Sequence, residues 1–267
     1  MKFKLSDFMY ITVPLALFWA CSPSQSELAA KKIKASEAYL AKGDTAKTLL
    51  CLDSISKYYP EAIAEKQKAI QLSNQIYNFQ LTKQQNSLEI ANTSIKSLLK
   101  EFKTEKGEFE KYSTYIPNRQ VFDKSWSRSF VQVYLNEKGD LTLASNYYGS
   151  QWLNHTSLTI TGEGQTMKTD SVPLDNINNH HSDFGESRWE KVSYKGNQAN
   201  LVIKMIALNQ DKKLKAIFSG SARKTYIMWL EDYDKQAVKN AWELSKAFRM
   251  KSDAEKLIPE LEKKIKS

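Results

Sequence analysis

The stretch SFVQVYLNEKGDLTLASNYYG, Ser129–Gly149, decides how the middle of this chain is read. Val131, Val133 and Leu135 alternate with Gln132, Tyr134 and Asn136, and the apolar rhythm resumes at Leu141 and Leu143. A period of two sends successive side chains to opposite faces of an extended strand. Gly139, inside a short polar connection, marks the bend of a hairpin. The same material returns in WLNHTSLTITGEG (152–164), in RWEKVSYKGNQANLVIKMIALNQDKKLKAIFSG (188–220) and in KTYIMWLED (224–232). About seven or eight short strands are expected between Trp126 and Leu230. Their short turns favour antiparallel pairing, because parallel neighbours need a crossover of a dozen residues or more. SVPLDNINNHHSDFGESR, Ser171–Arg188, is expected to be the longest irregular loop.

Helical patterns flank this β module. YLAKGDTAKTLLCLDSISKYYP, Tyr39–Pro60, has Leu49, Leu52, Ile55 and Tyr59 near helical spacing. Gly43 provides a permissive turn and Pro60 a stop. From Glu61 to Tyr112, Leu81, Leu88, Ile95, Phe102 and Phe109 recur every seven residues, with Ala91, Leu98 and Leu99 widening the seam. Such a spacing holds one apolar line on one side of a helix, as in coiled coils. Near the C-terminus, Ala237, Val238, Ala241, Trp242, Leu244, Ala247 and Phe248 form another apolar face. Ser252 and Glu255 are spaced as the capping box of a further helix. The expected fold is α+β. A helical hairpin and a long coiled-coil-like helix (35–113) precede an antiparallel β-sandwich or meander (114–230), and C-terminal helices (231–267) pack back on the long helix. The helical hairpin resembles one tetratricopeptide repeat, with Thr48 where a small Ala is usual. A single unit cannot bury its own face, so it must pack on something else in the chain.

The N-terminus reads as an export signal. Lys2 and Lys4 precede an apolar run from Phe8 to Ala20, too short for a bilayer core that takes roughly 20 residues. In ALFWACSPSQSE, Ala16–Glu27, a small residue directly before Cys21 resembles the lipobox of bacterial lipoproteins, although Phe18 stands where Leu is usual. The resemblance implies removal of residues 1–20 and a lipid thioether on Cys21, with 21–34 as linker and helix start. DTA (44–46), DSI (53–55) and DSV (170–172) resemble the acceptor motif for O-glycans on exported proteins of Bacteroidota. The chain as a whole resembles the uncharacterised lipoproteins of that phylum. The implied address is the bacterial envelope, anchored by lipid at the outer membrane, with either side of that membrane open.

The chain carries a net charge of +9, which becomes +8 when Lys2, Lys4 and Asp7 are removed. The surplus is spread over the helical and β regions alike, whereas nucleic-acid binders concentrate it on one face. No nucleic acid is expected. Beyond Cys21 only Cys51 remains, so no internal disulfide frames the fold. The nearest approach to a metal set is His180, His181 and Asp183, but a site needs three or four converging ligands and spacing does not bring them together. No cofactor is expected. Ser-x-x-Lys occurs at 54–57, 97–100 and 221–224, and a pattern that recurs this freely carries no argument. The aromatics Tyr147, Tyr148 and Trp152 are the candidate ligand surface, since ring faces cover the apolar patches of sugars. The sequence thus points to a membrane-anchored, non-enzymatic scaffold with a protein partner, or alternatively to a glycan-binding lipoprotein acting through its β module.

Overall fold

A computed structural model describes residues 23–108, 111–220 and 224–266, so the signal segment and Cys21 lie outside the described residues. The chain divides into two compact units, Met1–Asn78 and Phe79–Ser267. No helix among the described residues is long and apolar enough to cross a membrane.

In the first unit, α1 (Gln25–Ala41) opens with a full capping box. The Ser24 hydroxyl accepts from the Glu27 backbone N–H, and the Glu27 carboxylate accepts from the Ser24 N–H. Gly43 turns the chain at φ +77°, a left-handed conformation that side chains disfavour, and Asp44 caps α2 (Thr45–Tyr58). The start of α3 (Ile63–Leu98) completes a common core: Ala29, Ile33, Leu52, Ile55, Ala62, Ala69 and Ile76 are buried together. The repeat-like hairpin therefore packs on the chain's own long helix. Thr48 is wholly buried there, its hydroxyl donating to the Asp44 carbonyl at 2.8 Å, which is why a polar side chain is tolerated at a small-residue position.

The second unit is mixed α and β. A six-stranded antiparallel sheet has the order β1 (Phe102–Glu105), β2 (Thr114–Pro117), β3 (Phe130–Asn136), β4 (Leu141–Gly149), β8 (Ser187–Tyr194), β7 (Asn179–Phe184). A four-stranded antiparallel sheet has the order β10 (Thr225–Trp229), β9 (Lys215–Gly220), β5 (His155–Gly162), β6 (Gln165–Lys168). Alternation does what the quoted stretch requires. Val131, Val133, Leu135 and Leu143 enter the core beside Val192, Leu158, Ile160 and Phe218, while Gln132, Tyr134 and Asn146 take the other face of the sheet. Each buried Val, Leu or Phe contributes about 1.5–3 kcal/mol. The β3–β4 turn is fastened by Asn136, whose side-chain oxygen accepts from the N–H groups of Lys138 and Asp140 at 3.0 Å. Gly139 in that turn has φ +78°, and its carbonyl accepts from the Ser245 hydroxyl at 2.5 Å.

Four expectations are corrected. The long helix stops at Leu98, followed by a tight turn at Leu99–Glu101, so Phe102 continues the seven-residue spacing but not the helix. It enters β1 and the buried core instead; Phe109 lies outside the described residues. NQANLVIKMIAL is not strand but α5 (Asn197–Leu208): Ala199, Val202, Ile203, Met205 and Ile206 are buried at helical spacing, and burial of one face outweighs the strand preference of Val and Ile. The expected loop at 171–188 holds β7 and the turn into β8. The two C-terminal helices are one, α6 (Asp232–Lys266), which runs through Ser252 and contains Pro259. The long helix contacts α6, as expected, and Ile95, Leu98 and Leu99 pack against the main core.

Candidate functional site

Neighbouring residues of β4 and β8 serve opposite faces of the six-stranded sheet, and each face carries a polar constellation. On the core side, Glu190 accepts four hydrogen bonds: from the backbone N–H groups of Leu153 and Asn154 at 2.7 Å, from that of His155 at 3.0 Å, and from His155 Nδ1 at 2.6 Å. The His155 Nε2 atom lies 2.7 Å from the Ser145 hydroxyl, which also meets the Tyr194 hydroxyl at 2.9 Å. Burial raises the Glu190 pKa, but the His155 side-chain and backbone hydrogen bonds outweigh it and hold the carboxyl below its ordinary value. An ionised carboxylate only accepts, so Nδ1 is the donor in that pair. Carboxylate, imidazole and hydroxyl stand in the order used by hydrolytic triads. Ser145, His155 and Glu190 are each 0% exposed, so no substrate reaches the hydroxyl. The arrangement clamps the 153–155 segment to the sheet.

On the opposite face is a cavity of about 170 Å³. Its floor is Gln132 on β3, Asn146 on β4, and Trp189 and Lys191 on β8, with Phe130 beside them. The short helix α4 (Phe122–Ser125) and Trp126 form one wall, where Phe122 and Trp126 are exposed at the rim. That wall is fastened from below. Arg128 forms a two-point ion pair with Asp234 on α6 at 2.6 and 3.0 Å, and the Gln120 amide donates to the same carboxylate at 2.8 Å. Gln120 also accepts from the Val133 N–H at 3.0 Å and donates to the Val131 carbonyl at 2.9 Å, stitching the wall to β3.

The floor is polar and unpaired. Among the described residues, three buried side-chain polar atoms lack a hydrogen-bond partner: Gln132 Oε1, Asn146 Nδ2 and Trp189 Nε1. All three belong to residues lining this cavity. The Gln132 amide nitrogen donates to the Gln120 carbonyl at 2.8 Å, which fixes Oε1 as the unpaired atom. Leaving a buried donor or acceptor unpaired costs about 1–3 kcal/mol, and the three fall among the residues of one cavity. The Lys191 ammonium makes no ion pair among the described residues and lies 5.3 Å from the Tyr134 ring centre. Burial holds its pKa below the ordinary lysine value, partly opposed by Glu105. A larger groove of about 650 Å³, lined by Asp140, Lys195 and Arg249 among others, holds none of the unpaired atoms.

The sequence-chosen aromatics do not form one platform. Tyr147 turns to the core side and meets Tyr226 edge-on at 5.2 Å. Tyr148 turns the other way, edge-on to Trp126 at 6.4 Å, and so borders the cavity wall. Trp152 stacks on His181 at 5.2 Å with the Arg188 guanidinium 5.5 Å from its ring centre. His180 and His181 are successive residues of β7, directed to opposite faces, and no group of three metal-ligating side chains exists among the described residues. The residues that sequence reading missed, Gln132, Asn146 and Lys191, carry one available signal: polar side chains at every second position of apolar strands. No family model, curated protein or solved structure matches this chain.

Proposed function

We propose that this chain is a lipid-anchored protein of the bacterial envelope, tethered at the outer membrane through Cys21, whose β module binds the ring of a sugar without transforming it. The observation that carries this reading is that the three unpaired buried polar atoms, Gln132 Oε1, Asn146 Nδ2 and Trp189 Nε1, belong to residues lining one cavity, which Phe122, Trp126 and Phe130 also line. Polar atoms that answer hydroxyls, set among rings that cover C–H faces, are the ingredients of sugar recognition. The volume equals about six waters at roughly 30 Å³ each, room for one ring and its substituents. Longer glycans would extend past the exposed rim. The scaffold reading has less support: Ala29, Ile33, Leu52 and Ile55 of α1 and α2 are already buried with Ala62, Ala69 and Ile76 within their own unit, and Leu50 and Tyr58 are what α2 leaves exposed.

The test is calorimetric titration of the mature lipoprotein, held in a detergent without a sugar headgroup, against a panel of hexoses and short oligosaccharides. Saturable binding that is lost in Gln132→Met supports the reading. Absence of heat with every sugar, together with unchanged tryptophan fluorescence, refutes it. The tether is tested separately by metabolic labelling with a palmitate analogue, which should mark the natural chain and not Cys21→Ser.

A further inference from the structure

The strand β10, TYIMW, stands at the end of the four-stranded sheet, with β9 as its one strand partner among the described residues. That pairing uses alternate residues. The Lys224 carbonyl accepts from the Gly220 N–H at 3.0 Å, and the Leu230 N–H donates to the Leu214 carbonyl at 2.9 Å. Backbone groups alternate sides along an antiparallel strand, so Thr225, Ile227 and Trp229 turn theirs away from β9. Nothing among the described residues pairs with them there. The same three residues carry exposed side chains: Ile227 is 56% and Trp229 61% exposed, whereas Tyr226 and Met228 pack against the main core.

An open strand edge is a template for another strand, and proteins blunt such edges with charge, proline or a bulge. The other three sheet edges are blunted: β1 carries Lys103 and Glu105, β6 carries Lys168 and β7 carries Asp183. β10 has no charged residue, no proline and an unbroken register with β9. It is the one edge that is both apolar and open.

The strand's own symmetry points to the occupant. A two-fold axis at Ile227 sets Ile227 opposite its own copy, and sets Thr225 of each chain opposite Trp229 of the other. All of these are outward-facing positions, so each pair exchanges both of its N–H···O=C bonds. The shared outer face then has an aliphatic pair at its centre and an aromatic–β-branched pair on either side, combinations that stabilise neighbouring strands. The strand ends agree. Lys224 precedes β10 and Glu231 follows it, so antiparallel pairing sets the basic end of one copy against the acidic end of the other. Parallel pairing would set like beside like. Such a closed two-fold contact uses the same patch on both chains.

We propose that β10 joins two copies of this chain edge to edge, so that their four-stranded sheets run on as one continuous sheet. A strand this short buries less than the roughly 1,600 Å² of a standard interface, so the dimer is weak and depends on concentration. Sugar binding at the cavity does not enter the argument.

The experiment follows the mature lipoprotein in detergent by sedimentation velocity over a wide concentration range. The expected result is a reversible monomer–dimer equilibrium. Ile227→Lys sets two like charges opposite each other at the axis and should weaken the dimer by about tenfold or more, while Ile227→Val should keep it. Position 227 is exposed, and an unchanged thermal midpoint shows that the variants fold. In envelope membranes, with Cys51 replaced by Ser, Ile227→Cys should be joined into a dimer by a short bismaleimide. Ser219→Cys, one strand further in on each copy, should not. A chain that stays monomeric at every concentration, with no cross-link at 227, overturns the proposal, even where β10 carries a strand of a different protein. So does a dimer that Ile227→Lys leaves unchanged, or one that cross-links as readily at 219.

Discussion

Replacing Glu190 with glutamine isolates what the buried clamp contributes. The wild-type carboxylate answers four donors, two on each oxygen. Glutamine keeps one carbonyl oxygen, which can still accept from Leu153 and Asn154. Its amide then faces the backbone N–H of His155 and the Nδ1 proton. The imidazole escapes that clash by moving its proton to Nε2, but the backbone N–H cannot. One buried donor left unpaired costs about 1–3 kcal/mol, and exchanging charged for neutral acceptors removes roughly another 1 kcal/mol per bond. Relief of the carboxylate's desolvation offsets part of this, leaving a net loss of about 2–3 kcal/mol near neutral pH. The pH dependence gives a second check. The folded-state pKa of Glu190 lies below its ordinary 4.5, because the His155 hydrogen bonds outweigh the upward pull of burial. A depressed acid contributes stability that is fully present above its unfolded value and is lost as pH falls through its folded value. Wild type therefore loses this contribution below pH 4.5, whereas Glu190→Gln has no such group to protonate. Urea unfolding, followed by tryptophan fluorescence at neutral pH and in acid, should show a gap that narrows in acid. A neutral-pH loss under about 0.5 kcal/mol, the size of an ordinary surface substitution, refutes the reasoning. So does a gap that acid leaves unchanged.

Asn146→Leu removes an unpaired buried amide and should raise stability by about 1 kcal/mol in the same unfolding measurement, while sugar binding by calorimetry disappears. Asp234→Asn breaks the two-point pair that holds the cavity wall, and should cost about 3 kcal/mol. It should also weaken ligand binding, because the Arg128 contact that holds the wall to α6 falls from two points to one. Gly139→Ala places a Cβ 2.8 Å from the Ser245 carbonyl at a φ of +78°, and should lower the thermal midpoint by several degrees.

Much of the architecture was legible because its signals are local. Val131, Val133, Leu135, Leu141 and Leu143 wrote their hairpin in a period of two, while Gly43 divided the helical pair and Pro60 ended it. The errors arose where local signals are degenerate. Phe102 satisfies both a seven-residue helical seam and an alternating strand, and only its pairing with Pro117 decides between them. Leu201–Leu208 is a short apolar run, which periodicity alone does not divide between strand and helix. The site was hidden for a different reason. Gln120 and Asp234 are 114 residues apart, and His155 and Glu190 are 35 apart, so no spacing rule joins them. The aromatic search found Tyr148, beside the cavity, yet the decisive features are what Gln132, Asn146 and Trp189 fail to bond, and an absent partner leaves no trace in a sequence.

The division of labour along β4 and β8 limits how this protein can change. Ser145 and Glu190 belong to the clamp, while Asn146 and Lys191, the next residues along, belong to the cavity. A deletion of one residue inside either strand would exchange the two sets, sending a lysine into the apolar interior and a glutamate out to the ligand. Substitution can therefore retune the cavity freely, but length within these strands is closed to variation. Additions belong at the turn around Gly185, where a new loop would leave the frame of both faces untouched.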